Sequence, residues 1–313
     1  MIKKNISFDG ENSKYTASYV YNANLPTLPT YKEPVLNMMK NLERKLNKFG
    51  LTKQFNEVID DFFKRGVIDW TENIPEIKSK QESYIPLTFT LDPEKSTKLR
   101  VCSNSSFSTG KNVSLNKCMI SGPSYLVPLQ DILLRWRVAQ QCSLADIKQC
   151  YHSVNSAPLD KSLRRIHLKK GGMGSNDVWG EACFNVVSFG DVLGGSFAQL
   201  SVLDSVNRFV KHPSILENLS QNAYMDDISL LDFGDPEAPP LSKMVKDTEA
   251  ALRKGGFGLK QWIHSGDPNA PKTKYLSYLY NPSSDTFSCK VKVNFSKLRR
   301  GVRESKDINN EEE

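Results

Sequence analysis

Two adjacent carboxylates, Asp226 and Asp227, stand inside the apolar frame Asn222-Ala223-Tyr224-Met225-Asp226-Asp227-Ile228-Ser229-Leu230-Leu231. The frame reads as a strand turn with the pair at its bend. Neighbouring Asp side chains buried in a hairpin repel each other and titrate abnormally. A chain keeps such a pair at low cost where a divalent cation neutralises it. The chemistry indicated is Mg²⁺-assisted phosphoryl transfer. Average residue usage gives a Tyr-x-Asp-Asp by chance in roughly a few per cent of chains this long, usually as an exposed turn, so the tetrapeptide alone is a weak signal.

A third carboxylate changes the odds. Gln141-Cys142-Ser143-Leu144-Ala145-Asp146-Ile147 reads as a buried strand ending in Asp, followed by Lys148-Gln149-Cys150-Tyr151-His152. An Asp closing a buried apolar strand is costly unless it is paired. Two cations a few ångströms apart, bridging carboxylates and a triphosphate, require such an Asp beside the Asp-Asp hairpin. Asp146 and Asp226 meet that requirement. The alternative, in which Asp146 caps the following helix, stays open from this segment alone.

The elements that must position these residues follow from periodicity. The first thirty-odd residues are polar, carry Pro26, Pro29 and Pro34, show no stable period and read as a flexible leader. Leu36, Met39, Leu42, Leu46 and Phe49 keep helical spacing up to a stop at Gly50. A second helix through Phe55, Val58, Ile59, Phe62 and Phe63 ends at Gly66. Further helices are expected near 127–137, 195–210 and 241–254, with strands between them.

With 39% hydrophobic and 25% charged positions, the 313 residues can bury a sizeable core in one large domain or two smaller ones. A formal charge of +7 suits a polyanionic partner without demanding one. The six cysteines lack C-x-x-C spacing and the four histidines do not cluster with them, which argues against zinc and a disulfide framework. The polar amino terminus and the absence of a membrane-length apolar run lead to an intracellular expectation.

The order Leu144-Ala145-Asp146-Ile147, Ser188-Phe189-Gly190, Tyr224-Met225-Asp226-Asp227 and Gly255-Gly256-Phe257 resembles reverse-transcriptase motifs A to D. The chain is most similar to the BEL/Pao type of LTR retrotransposon. The matching stretches include Lys98-Leu99-Arg100-Val101, Val113 to Cys118, Gly122-Pro123, Asp131 to Arg137, Leu252 to Phe257, Trp262 and Asp285 to Ser288. The similarity spans roughly residues 50 to 303, and ordered motifs at compatible spacing make it specific.

The resemblance implies an α+β right-hand polymerase fold: fingers, a palm on an antiparallel sheet, and a thumb largely absent. It divides the chain into a leader (1–32), an N-terminal helical extension (33–83), fingers and palm (84–281), and the start of a connection or thumb with a charged tail (282–313). It further implies an RNA-directed DNA polymerase, a nucleotidyltransferase using two Mg²⁺ ions, with Mn²⁺ able to substitute. The partners would be an RNA or DNA template-primer and deoxynucleoside triphosphates, with no membrane. The setting would be a cytoplasmic retroelement particle or the nucleus.

By the same resemblance, Asp146, Asp226, Asp227 and the backbone carbonyl of Ile147 form the metal set, Asp227 contributing field more than ligation. Lys98 and Arg100, on alternate positions of a fingers strand that hairpins with residues 84–91, would hold the triphosphate. A solvated edge strand would carry the same charges. Tyr151 would exclude a 2′ hydroxyl, and Phe189-Gly190 would open motif B, with Gly letting backbone approach the templating pair. Lys260 is the nearest candidate for protonating pyrophosphate, although the family Lys aligns better with Gln261. Leu276, Ser277 and Tyr278 resemble the primer grip, with Ser277 replacing Gly.

Asn104, the continuation Asp191 to Ser196, and Ile85-Pro86-Leu87-Thr88 depart from the family. The chain stops soon after the primer-grip strand and has no D-[ST]-G protease signature, so it reads as a fragment or an isolated domain. A catalytically silent retroelement remnant that binds nucleic acid or protein remains the second reading.

Overall fold

A computed structural model describes residues 2–78, 80–91, 99–121 and 125–289. Lys98, Gly122-Pro123 and the basic segment 292–303 therefore lie outside the described residues.

The amino terminus overturns the expectation of a flexible leader. β1 (Ile6–Asp9) and β2 (Lys14–Ala17) form a hairpin, and β2 then pairs in parallel with β7 (Val154–Ser156) more than a hundred residues away. Tyr15 and Ala17 are fully buried, and Tyr19 and Tyr31 nearly so. The Tyr15 hydroxyl donates to Asp204 at 2.9 Å and accepts from Ser205 at 3.1 Å. A four-residue strand has too few alternations to show a period, and its partners are distant in sequence, so local patterning could not reveal it.

Two amphipathic helices follow, α1 (Lys32–Lys48) and α2 (Thr52–Lys64), each stopped by a glycine at positive φ: Gly50 at 66° and Gly66 at 69°. α1 buries Val35, Met39, Leu42 and Leu46, while Phe49, expected in that stripe, lies past the helix end and is exposed. β3 (Ile68–Trp70) then joins a sheet ordered β3-β9-β8, with β8 at Arg165–Lys169 and β9 at Trp179–Phe184. The expected hairpin is present as β4 (Leu87–Leu91) and β5 (Leu99–Ser103), antiparallel with Thr90 opposite Arg100. The short α3 (Leu115–Cys118), α4 (Leu129–Val138) and α5 (Pro158–Ser162) connect these parts. One continuous core runs from Tyr15 through α1 and α2 to Phe257, so the boundaries at 32/33 and 83/84 divide no separate cores.

The central strand is β6 (Gln141–Lys148). It pairs antiparallel with β11 (Asp227–Asp232) on one side, and on the other with β12 (Gly258–Leu259) and β13 (Ile263–His264). β10 (Ala223–Tyr224) completes the sheet beyond β11. Cys142 through Ala145 are all buried because both faces of β6 are covered. Ala145, Ile147, Ile228 and Leu230 belong to the large core beneath α6 (Gly194–Phe209) and α8 (Leu241–Lys254). Residues 241, 244, 245, 248, 251 and 252 form the buried stripe of α8, the 3–4 spacing of a helix lying on a sheet. α7 (Pro213–Asn222) leads into the hairpin.

Cys142, Leu144 and Leu231 point the other way. They meet Ile132 and Trp136 of α4 and a three-stranded sheet of β14 (Thr273–Tyr275), β15 (Tyr278–Asn281) and β16 (Thr286–Ser288). Trp136 lies 5.2 Å from the rings of both Tyr275 and Tyr280. Among the described residues no helix is long and apolar enough to cross a membrane.

If the amino-terminal hairpin is part of the core, Tyr15→Ala should cost about 3 kcal/mol or more of stability, as large-to-small core substitutions do. Chemical denaturation checks this. An unchanged midpoint would restore the leader.

Candidate active site

The register of β6 against β11 sets Asp146 directly opposite Asp227, with Ile228 opposite Ala145. Cross-strand partners share a face, so these carboxylates lie on the side that Cys142, Leu144 and Leu231 bury farther along. Asp226 occupies the bend, and its carbonyl accepts the N–H of Ile147 at 2.8 Å. Met225 beside it has φ 56°, a left-handed conformation that a bulky L side chain rarely holds without surrounding support. The turn after β6 is preceded by Gln149, three residues on, so Asp146 does not cap it.

The electrostatics follow from that crowding. Burial, and then repulsion from Asp226, push the Asp227 carboxyl up to about 7, although its Oδ2 accepts the Leu276 N–H at 3.1 Å. Burial also raises Asp226, with Asp146 adding to the effect and Lys260 and Arg100 opposing it. The Lys260 ammonium sits 3.0 Å from Asp146 Oδ2, and its backbone N–H donates to the Asp146 carbonyl at 2.9 Å. A cation thus already compensates one carboxylate. Among the described residues no three His, Cys, Asp or Glu side chains stand close enough to hold a metal ion as placed. The oxygen-only donors and the suppressed ionisation of Asp226 and Asp227 fit a hard divalent cation. Asp146, Asp226, Asp227 and Ile147 would hold it.

The family model of reverse transcriptase (RNA-dependent DNA polymerase) matches residues 90–262, more than half of the chain. The chain belongs to this family. The protease-reverse transcriptase of a foamy virus in complex with double-stranded DNA is 13% identical, with a TM-score of 0.50 over 74% of this chain and 34% of that one. The prototype foamy virus protease-reverse transcriptase, as a CSH mutant, is 14% identical, with a TM-score of 0.46 over 66% of this chain and 23% of its own. The chain therefore spans about a quarter to a third of the length of these structures. The first of these likenesses shows the right-hand polymerase fold. No curated protein matches the chain.

Beside the carboxylates, this reverse transcriptase domain has a cleft of about 340 Å³, lined among others by Tyr151, Phe189, Asp191, Gly195, Gln199 and Met225. Tyr151 is buried and tilts against exposed Phe189, ring centroids 4.0 Å apart. A Cβ on Gly195 would stand 3.3 Å from the Tyr151 hydroxyl. Gly190 has a packing reason to be glycine: a Cβ there would lie 2.4 Å from the Ser103 carbonyl of β5. Motif B is thereby pressed against the fingers hairpin. Arg100 on β5 is exposed and within electrostatic reach of Asp226.

Leu276 and Ser277 form the two-residue turn between β14 and β15, both left-handed at φ 50° and 71°, which explains why the family favours Gly at Ser277. Leu276 is buried in the second core, holding its N–H at Asp227, while Tyr278 is half-buried. Asn104, the family's Asp position, forms a local turn by accepting the Ser106 N–H at 3.1 Å.

Sequence reading missed Gln199, whose Oε1 is buried without a hydrogen-bond partner among the described residues, and the Leu276 amide. An amide is silent in sequence, whereas a Gln on a buried helix face is a usable signal. A second cleft, of about 390 Å³, lies between the end of α6 and α8 and shares no lining residue with the first.

The Asp227 shift has a testable sign. Its folded pKa of about 7 lies above the unfolded value near 4, so the folded state holds the proton more tightly. Metal-free protein should gain stability as pH falls from about 7 towards 4, by on the order of 1–2 kcal/mol given partial solvent screening. Asp227→Asn should be more stable than the parent at pH 8 and lose most of this slope. A denaturation midpoint that falls equally in both proteins across that window would refute the assignment.

Proposed function

We propose that this chain is an RNA-directed DNA polymerase that extends a primed template with deoxynucleotides, using two Mg²⁺ ions, and that it belongs to the BEL/Pao group. The observation that carries the reading is the β6–β11 register, which brings Asp146 and Asp227 face to face with Asp226 at the bend. Three carboxylates so placed, with a flanking Lys and Arg, suit a reaction in which the enzyme supplies position and charge rather than covalent chemistry.

The primer's 3′ hydroxyl attacks the α-phosphorus of the nucleotide in line, and pyrophosphate leaves. When bound, the cations lower the pKa of the attacking hydroxyl and stabilise charge on the leaving group. Asp146 and Asp226 would supply the anionic oxygens that hold them, and Asp227, tethered by Leu276, keeps the hairpin against the β14–β15 turn. Arg100 grips phosphate oxygens, with Lys98 beside it in sequence. Lys260, now on Asp146, would be the candidate to give a proton to pyrophosphate once released from that carboxylate. Tyr151, packed against Phe189, would stand under the sugar, where a ribose hydroxyl would meet the ring. The template-primer would be held through phosphates, with little sequence preference.

Primer extension on poly(rA)/oligo(dT) decides between an enzyme and a silent remnant. Extension should require Mg²⁺ or Mn²⁺, and a folded Asp226→Asn variant should lose about a hundredfold or more of it, because Asn keeps size but not the anion. Mg²⁺-independent extension, or an unimpaired variant, would reject the metal assignment. No extension by well-folded parent would favour the remnant.

Shortening Tyr151 tests the sugar pocket. Tyr151→Val should raise ribonucleotide over deoxynucleotide incorporation about tenfold, equivalent to roughly 1.4 kcal/mol of discrimination. The readout is the ratio of kcat/KM for ATP and dATP opposite uridine. An active variant with the parental ratio would return Tyr151 to the role of a core aromatic.

A further inference from the structure

Asp191 follows Gly190 in motif B, where the chain departs from its family, and it is 5% exposed. Its carboxylate is fully engaged. Oδ2 accepts from Arg164 Nη1 at 2.9 Å and from the Tyr19 hydroxyl at 2.6 Å, and Oδ1 accepts from the Ser105 hydroxyl. These three partners come from the residues after α5, from the amino-terminal segment and from the turn after β5. Arg164 is itself fully buried and also donates to the carbonyls of Asp160 at 3.0 Å and Val186 at 2.7 Å. Tyr19 is fixed in turn: its ring stacks on Phe197 of α6 at 5.4 Å with 5° between planes, and its N–H donates to Asp160 at 3.0 Å.

The loop around Asp191 is held by this carboxylate together with Asn116, whose side-chain amide donates to the Gly190 carbonyl at 2.8 Å and accepts the Val192 N–H at 3.0 Å. The Asp191 N–H donates to the Ser188 carbonyl at 3.2 Å, and the Gly194 N–H donates to the Asp191 carbonyl at 3.0 Å. Within that loop Phe189 leans on Tyr151, and Asp191 lines the same cleft. A buried ion pair is weak evidence for stability, because desolvation offsets much of its attraction. Its directional bonds do select one arrangement of the segments they join.

We propose that Asp191 is a positioning residue for nucleotide selection: held by Arg164, Tyr19 and Ser105, it fixes the Phe189–Gly190 turn against Tyr151. The amino-terminal segment thereby takes part in substrate discrimination through Tyr19. The inference rests on the reading of the cleft as a nucleotide pocket. Loosening the carboxylate removes one tie on the Phe189 turn, Asn116 holding the other, and leaves Asp146 and Asp226 in place, so nucleotide affinity changes before the chemical step does.

Removing Asp191 itself would strand the Arg164 charge in the core, so the test uses Tyr19→Phe, which deletes one hydroxyl and keeps the ring on Phe197. Tyr15→Phe is the matched control. It loses a hydroxyl of the same segment that bonds Asp204 and Ser205 instead of motif B. In primer extension, Tyr19→Phe should raise the KM for dATP about three- to tenfold and lower the dATP-over-ATP ratio of kcat/KM to a similar extent, with kcat changed less than about twofold. Tyr15→Phe should lower the melting temperature without moving either kinetic quantity. Equal kinetics in the two variants would overturn the proposal. If the parent does not extend primers, the polymerase reading fails but the clamp stays testable by amide hydrogen exchange. Residues 186–196 should then exchange faster in Tyr19→Phe than in Tyr15→Phe, and equal exchange would overturn the clamp.

Discussion

Like charges set directly opposite each other across an antiparallel pair destabilise it, and this domain is built around such a pair. Asp146 faces Asp227, with Asp226 next to both. Left to itself the hairpin would open or slip, and a one-residue slip would turn its apolar set to the wrong face. Two separate cores grip the strands from opposite sides and remove that freedom. At the exposed end, Lys260 and the Leu276 amide each satisfy one of the opposed carboxylates. Four left-handed residues stand there too: Met225 in the bend, Leu276 and Ser277 in the facing turn, and Gln149 just beyond β6. Strained backbone persists where the surroundings over-determine it, and here the surroundings are those two cores.

The parts legible in the sequence were those whose signal is local. The buried stripe of α8 was visible as 3–4 spacing, and its ends fell at Leu241 and Lys254 as expected. α6 runs Gly194–Phe209 against an expected 195–210. Adjacent Asp residues in an apolar frame betray a charged turn, and Asp146 betrays itself by closing a buried run. What escaped was non-local or lay in the backbone. β2 is four residues long and finds its parallel partner at Val154–Ser156. The crowding of Gly190 by the Ser103 carbonyl is one such feature, which only the docking of motif B on the fingers hairpin reveals. Asp191, a departure from the family, makes sense once Arg164 is seen beside it.

The same contrast separates the three carboxylates from the cleft next to them. The carboxylates are set by strand register, a property of two segments. The cleft is assembled from the turn after β6, motif B, the start of α6 and the hairpin bend, each held by different neighbours. Its shape therefore depends on many more contacts than its charge does, which is why residue type alone says less about substrate choice than about the metal.

The placement of β2 also bears on how the chain is made. Tyr15 leaves the ribosome well before the residues it packs against, which include Ser205 and Phe257. At roughly 5–20 residues per second, the interval between synthesis of residue 15 and residue 257 is on the order of ten to fifty seconds. For the first part of that time, until β7 is made, the hairpin lacks its sheet partner and keeps an edge open to foreign strands. Within this domain, vectorial synthesis thus leaves the β1–β2 hairpin waiting longest for its neighbours, which makes the nascent domain a natural client for a holding chaperone until the palm closes over it.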